Sequence, residues 1–217
     1  MALLFQADFE PPGEWGLWHI TESEADLRGG IELFAAEREQ LDCIRGEGRR
    51  REFLAARHLL HRMSGRTERG ELFKDTNGKP HLRDSPFHVS ISHTVNYSAA
   101  IAHPRPCGID VQRIVPRIRR LARKFVGPAE ARLLAGLSDD LLHLHLIWSA
   151  KEALYKAYGR RQLDFKEHLF TDFPVDLSAG AGAGGELRTG EGVRTFDLRY
   201  RLYSDFVLVG AVESSGS

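Results

Sequence analysis

Two cysteines, Cys43 and Cys107, are all that the 217 residues contain. They are too few for a disulfide framework and lack the spacing of zinc ligands. Net charge is missing as well. Lysine plus arginine number 30 and aspartate plus glutamate number 30, so no global field draws nucleic acid or an anionic membrane, and neither is expected as a partner. Any basic surface has to be local. Long hydrophobic runs are also scarce at the start: MALLFQADFEPPGEWG carries only a short apolar run before it turns polar and proline-rich. Neither a signal peptide nor a membrane span is expected there. These absences lead to the expectation of a soluble, cytoplasmic protein. What is present suffices for a core, because 42% of residues are hydrophobic, enough for one domain or two small ones.

The middle of the chain is the most legible. In RRREFLAARHLLHRMSG, Phe53, Ala56, Leu60 and Met63 recur at helical spacing up to Gly65, and the other side is rich in arginine. TNGKPHL reads as a turn. FHVSISHT and YSAAIAH alternate as strands do, with Asn96 in the loop that joins them, and CGIDVQRI is a third, short strand. RIRRLARKFVGPAEARLLAGL predicts helix, a break at Gly127 and Pro128, and helix again. SDDLLHLHLIWSAKEALYKAYG predicts a long helix with Ser138 or Asp139 as N-cap, acids in its first turn and Gly159 as its stop. FDLRYRLYSD and FVLVGAVES read as strands. The expected fold class is α+β, in two roughly equal halves, 1–104 and 105–217.

Two tempting motifs carry little. GAGAGG, Gly180 to Gly185, satisfies the dinucleotide-binding pattern literally, and Asp205 follows about twenty residues on. No helical apolar stripe follows it, so no helix N-terminus stands behind it to hold a pyrophosphate, and a surface loop is expected. His143 and His145 lie about 200° apart on a helix and cannot chelate together. His58 and His61 have suitable spacing but no third ligand nearby. All four are expected to be packing or surface residues.

Polar residues in apolar surroundings say more. Asp110 stands between Ile109 and Val111, with Gln112 on the same strand face. Ser149, Glu152 and Lys156 share one face of the long helix, while Leu146, Ala150, Ala153 and Ala157 share another. An acid inside an apolar strand needs a partner. One reading is a salt bridge from Asp110 to Lys156 or Arg113. The other converges Asp110 and Glu152 on a hard cation such as Mg²⁺, whose remaining positions take water and phosphate.

GIDVQ followed some forty residues later by WSAKEALYK resembles the paired motifs of the 4′-phosphopantetheinyl transferases, specifically the larger Sfp-like type. The likeness extends to GKP at Gly78 to Pro80, SISHT at Ser90 to Thr94, the arginine-bearing helix at Arg51 to Arg57, and KFVGPAEARLL. It runs from about Trp15 to Gly159. The resemblance implies two pseudo-repeated α/β halves with the active site in the cleft between them. It implies a Mg²⁺-dependent enzyme of the holo-[acyl-carrier-protein] synthase type. The reaction would move the phosphopantetheine arm of coenzyme A to a serine of an apo acyl, peptidyl or aryl carrier protein, releasing adenosine 3′,5′-bisphosphate.

By the same resemblance Asp110 and Glu152 bind the metal, and Gln112 occupies a ligand position that is often acidic. Glu152, Lys156 and Asp110 are the catalytic residues, and Lys156 contacts the phosphate under attack. Arg51 and His93 hold the nucleotide's phosphates, with Lys79, Ser92 and Thr94 nearby. The basic run Arg117, Arg119, Arg120, Arg123 and Lys124 is a candidate surface for an acidic carrier, with Leu121 or Phe125 packing on the partner. A monomer is expected. The rival expectation is a non-catalytic module of the same fold that binds coenzyme A or a carrier.

Overall fold

The computed structural model describes residues 3–160, 162–177 and 182–216, and the chain divides into two compact units, Met1–Arg105 and Pro106–Ser217. In the first, β1 (Leu3–Asp8) and β2 (Glu14–His19) precede three helices, α1 (Glu24–Gly29), α2 (Ala35–Cys43) and α3 (Glu47–Ser64). Then come β3 (Leu72–Lys74), β4 (Pro80–Leu82), β5 (His88–Thr94) and β6 (Tyr97–His103). The six strands form one antiparallel sheet in the order β1-β2-β6-β5-β4-β3. Leu54, Leu59, Leu60 and Met63 supply the buried stripe of α3, which packs on β2 and β6. Gly65, at φ 61°, closes α3 in the left-handed conformation that glycine adopts without strain. Thr94 faces Tyr97 across the β5–β6 hairpin, and Asn96 takes the positive φ of 65° there.

The second unit begins with β7 (Cys107–Arg113), followed by α4 (Ile118–Leu121), a 3-10 turn at Ala122–Lys124, α5 (Pro128–Ala135) and α6 (Leu141–Tyr158). It ends with β8 (Leu169–Asp172), β9 (Ala183–Thr189), β10 (Gly192–Leu202) and β11 (Phe206–Glu213). The sheet is antiparallel, in the order β7-β11-β10-β9-β8. The apolar side of α6, with Leu146, Ala150, Ala153, Leu154 and Ala157, joins Leu187, Leu198, Val207 and Val209 of the sheet in the core. Among the described residues no helix is long and apolar enough to cross a membrane.

A mixed helix-and-sheet architecture is therefore present in both units, with local corrections. The N-cap of α6 is Asp140, whose side chain makes no capping bond and accepts from Arg119 at 2.8 Å, while Asp139 Oδ1 accepts from Arg119 at 2.6 Å and from the backbone of Leu141 at 3.0 Å. The helix expected through RIRRLARKF is only one turn of α4 before the 3-10 turn. That change of winding rotates Phe125 inward, where it is fully buried against Trp148, so it cannot pack on a partner. Of the GAGAGG segment, Gly180 and Ala181 lie outside the described residues, and Ala183 to Gly185 belong to β9 instead of a loop. The missing side chain at Gly185 makes room for Leu154 of α6, whose methyls would stand 3.1 and 3.3 Å from a Cβ there.

Candidate active site

The position of α6 on β7 is set by Gly108. A Cβ at that position would lie 1.9 Å from the carbonyl oxygen of Ala153, a distance no side chain can occupy. Helix backbone and strand backbone meet there, with Ala153 and Ala157 as the small residues on the helix side. One consequence is the reach of Lys156. Its Nζ donates to Asp110 Oδ1 at 2.8 Å and to the carbonyl of Ile109 at 2.9 Å. The salt-bridge partner of Asp110 is thus Lys156, while Arg113 pairs with Asp205 at 2.7 Å.

Glu152 stands one turn before Lys156 on α6, half-buried. Burial first, and the charge of Asp110 second, push its carboxyl above the ordinary carboxylate range, against the opposing pull of Lys156. The two carboxylates therefore act on each other, and the salt-bridge and two-carboxylate readings describe one cluster. Gln112 follows Asp110 on the same face of β7, half-buried, with Val207 as its cross-strand partner. With Lys156 balancing one charge, the Asp110 and Glu152 carboxylates and the Gln112 amide on the same strand face are the oxygen donors that could hold a hard divalent cation. Among the described residues no three His, Cys, Asp or Glu side chains converge as a metal cluster.

In the N-terminal unit, His93 lies near the end of β5 with its Nε2 3.6 Å from the carboxylate of Glu52 on α3, which Arg49 also holds at 3.0 Å. Arg51 donates from Nη2 to the carbonyl of Ile20 at 3.1 Å, and its Nε is buried without a hydrogen-bond partner. Ser92 and Thr94 flank His93, the first buried and the second half-buried. The backbone of Lys79 donates to Asp75 Oδ1 at 2.9 Å in the turn before β4. Helix and strand thus bring His93 to Glu52 of α3, while Lys79 lies in the turn before β4.

Three of the four histidines behave as packing residues, and the fourth, His61, is half-buried. His143 binds the carbonyl of Pro174 at 3.0 Å and His58 that of Leu27 at 2.7 Å, and His145 is fully buried. A charged pair went unnoticed in the sequence. Lys151, the residue before Glu152, is fully buried and holds Glu130 at 2.8 Å, donating also to the carbonyls of Phe125 and Phe165 at 2.6 and 2.9 Å. Burial pushes its ammonium down from the ordinary lysine range, with Glu130 resisting. Glu130 in turn accepts from the backbone of Gly127 and Thr171 and from the Thr171 hydroxyl. The signal was available in GPAE, where an acid at the third helical position after a break marks a capping box.

Residues 106–200 match the family described as the 4′-phosphopantetheinyl transferase superfamily, and residues 38–103 match the 4′-phosphopantetheinyl transferase N-terminal domain. The chain belongs to the 4′-phosphopantetheinyl transferase superfamily, and its relatives are of the Sfp-like type. It is 30% identical over 108 residues to the 4′-phosphopantetheinyl transferase psf-1 of Bacillus pumilus, covering 48% of this chain and 46% of that protein. With the 4′-phosphopantetheinyl transferase Sfp of Bacillus subtilis (strain 168) it shares 31% identity over 86 residues, 38% of each chain. The matched stretch thus spans less than half the length of these relatives.

Proposed function

We propose that the chain is a transferase that moves the 4′-phosphopantetheine group of coenzyme A to a serine of an apo acyl or peptidyl carrier protein. It is Mg²⁺-dependent, of the holo-[acyl-carrier-protein] synthase type, and works as a cytoplasmic monomer. The observation that carries the reading is the Asp110–Lys156–Glu152 cluster on the α6–β7 seam of a chain in this superfamily. Asp110, Glu152 and Gln112 would hold Mg²⁺, which when bound neutralises charge on the pyrophosphate oxygens.

The serine oxygen attacks the phosphorus next to pantetheine, a new P–O bond forms, and the pyrophosphate P–O bond breaks to release adenosine 3′,5′-bisphosphate. Glu152 accepts the serine proton, a role favoured by its raised proton affinity. Lys156 stabilises the phosphate oxygen on which charge develops. Arg51 and His93, with Lys79, Ser92 and Thr94, hold the phosphates of the nucleotide. The exposed Arg117, Arg120, Arg123 and Lys124 around the partly exposed Leu121 steer the acidic carrier.

The test is the intact mass of an apo carrier protein after incubation with coenzyme A and Mg²⁺. A phosphopantetheine increment that disappears in Glu152→Ala is the expected result. Gln112, neutral where a third carboxylate would strengthen the metal site, favours a second reading, a module that binds coenzyme A or a carrier without transfer. Binding with no mass increment would select it.

A further inference from the structure

Counted at 100° per residue, His145, Ser149, Glu152 and Lys156 fall within about 60° of one another around α6. They form a polar stripe along a helix whose neighbouring faces are core. Its two ends are anchored on β7 and the segment that follows it. Lys156 grips Asp110 and Ile109 at one end. At the other, His145 Nε2 lies 2.9 Å from the amide nitrogen of Val115 and 3.1 Å from its carbonyl oxygen. Between the anchors, the side chains of His145 and Ser149 are fully buried. Both His145 Nδ1 and Ser149 Oγ are without a hydrogen-bond partner. Whichever ring nitrogen of His145 carries the proton, Nδ1 remains a buried donor or acceptor with an open valence. A hydroxyl with the same deficit lies one turn along the same face.

Two such atoms at neighbouring positions are unusual, since buried polar groups in native proteins are nearly always paired with protein or ordered water. We propose that His145 and Ser149 form a binding site for an internal water molecule, which bridges Nδ1 and Oγ and holds the α6 face that carries Glu152. Water suits the site because it donates and accepts, and so serves either tautomer of the ring. Burial also lowers the proton affinity of His145, which keeps the ring neutral at pH 7. The two side chains are positioning residues. They act on Glu152 through the helix, and that second step rests on the proposed transferase reading, whereas the water site itself does not.

The experiment uses the full chain. A crystal structure of the wild-type protein is expected to show ordered water within hydrogen-bond distance of both His145 Nδ1 and Ser149 Oγ. Ser149→Ala should lower the melting temperature by about 2–4 °C, as loss of a satisfied bridge does, and His145→Gln should do the same. The double variant should cost less than the sum of the singles, because either change alone already breaks the shared bridge. In the transfer assay Ser149→Ala should lower kcat several-fold with the KM for coenzyme A unchanged. An empty site in the wild-type crystal, or a Ser149→Ala protein as stable as wild type or more so, overturns the proposal. A wild-type protein without transferase activity would remove the function reading while the crystallographic and thermal results still decide the water site.

Discussion

The two units share one plan with different contents at its centre. Strand order β2-β6-β5-β4-β3 in the first unit repeats as β7-β11-β10-β9-β8 in the second, and β1 is an added edge strand in the first. Each has an 18-residue helix, α3 or α6, ended by a left-handed glycine. A short helix precedes each, and an acid at its third position, Glu37 or Glu130, accepts from the backbone N–H of the N-cap residue and holds a buried cation on the long helix. Gly16 faces Leu59 and Met63 as Gly108 faces Ala153 and Ala157. In this alignment Trp18 corresponds to Asp110 and His58 to Glu152. Trp18 and His58 are themselves in ring contact, with centroids 5.8 Å apart. A Cβ on Gly16 would meet side-chain atoms at 3.0 and 3.3 Å and the carbonyl oxygen of Phe5 at 3.0 Å, whereas on Gly108 it would meet helix backbone at 1.9 Å. Small residues bring the helix down onto the strand and leave room for short polar side chains. Large residues hold it off, and aromatic rings fill the gap.

The largest test of that contrast is functional. Glu152→Ala should reduce transfer at least about a thousand-fold, on the order of 4 kcal/mol of transition-state stabilisation, without lowering the melting temperature, because it relieves a repelled carboxylate. His58→Ala, at the corresponding place, should leave transfer intact and reduce stability. If both variants lose activity alike, the carboxylate has no special role. Second in size is the buried clasp. Lys151→Met strands Glu130 and should cost about 3–5 kcal/mol in urea unfolding. Arg57→Met should cost less, because Arg69 still holds Glu37, and equal costs would contradict this.

The comparison also reads out at the glycines. Gly108→Ala should cost about 3 kcal/mol or more, since helix backbone at 1.9 Å has to move, and Gly16→Ala should cost less, because its nearest contacts are no closer than 3.0 Å. A smaller effect concerns acid. Burial would raise the Glu37 carboxyl, but the hydrogen bond and charge of Arg69, together with Arg57, bring it below its ordinary value of 4.5. Its folded value is lower than its unfolded one, so the stability it contributes is complete above about pH 4.5 and is lost as the pH falls through the folded value. Urea unfolding of wild type and Glu37→Gln at pH 7 and in mild acid measures this. The variant should show the weaker acid dependence. The smallest expected effect is Gln112→Glu, which should lower the Mg²⁺ concentration for half-maximal rate a few-fold by adding a charged ligand. No change in that requirement would turn residue 112 away from the metal.

Periodicity made α3 and α6 readable in advance, because each buries a regular stripe, while β5, β6 and β7 stand out as short apolar runs that are largely buried. The polar face of α6 was legible for the same reason. The six residues of α1 and the short β3 and β4 give no such period. β9, AGGELRT, has Thr189 as its one β-branched residue, and its Gly185 follows from Leu154 lying over it. Phe125 was misjudged because the 3-10 turn breaks the count of a regular helix. The partnership of Lys151 with Glu130 spans separate elements, and the spacing within WSAKE says nothing of it. The role of Gly108 depends on the helix backbone that touches it, which the motif GIDVQ alone does not reveal.

The clasp at Lys151 has a chemical use. Lysine amines in a folded protein react with acylating reagents according to their access to solvent. Lys151 has a side chain 0% exposed, and Lys156, five positions on, has one 26% exposed. One helix therefore carries a protected amine and a reachable one. Acylation of Lys156 reports on the folded surface, while acylation of Lys151 proceeds only through opening of the second unit's core. The ratio of the two labels, read from a single proteolytic fragment, is an internal gauge of how often that core opens.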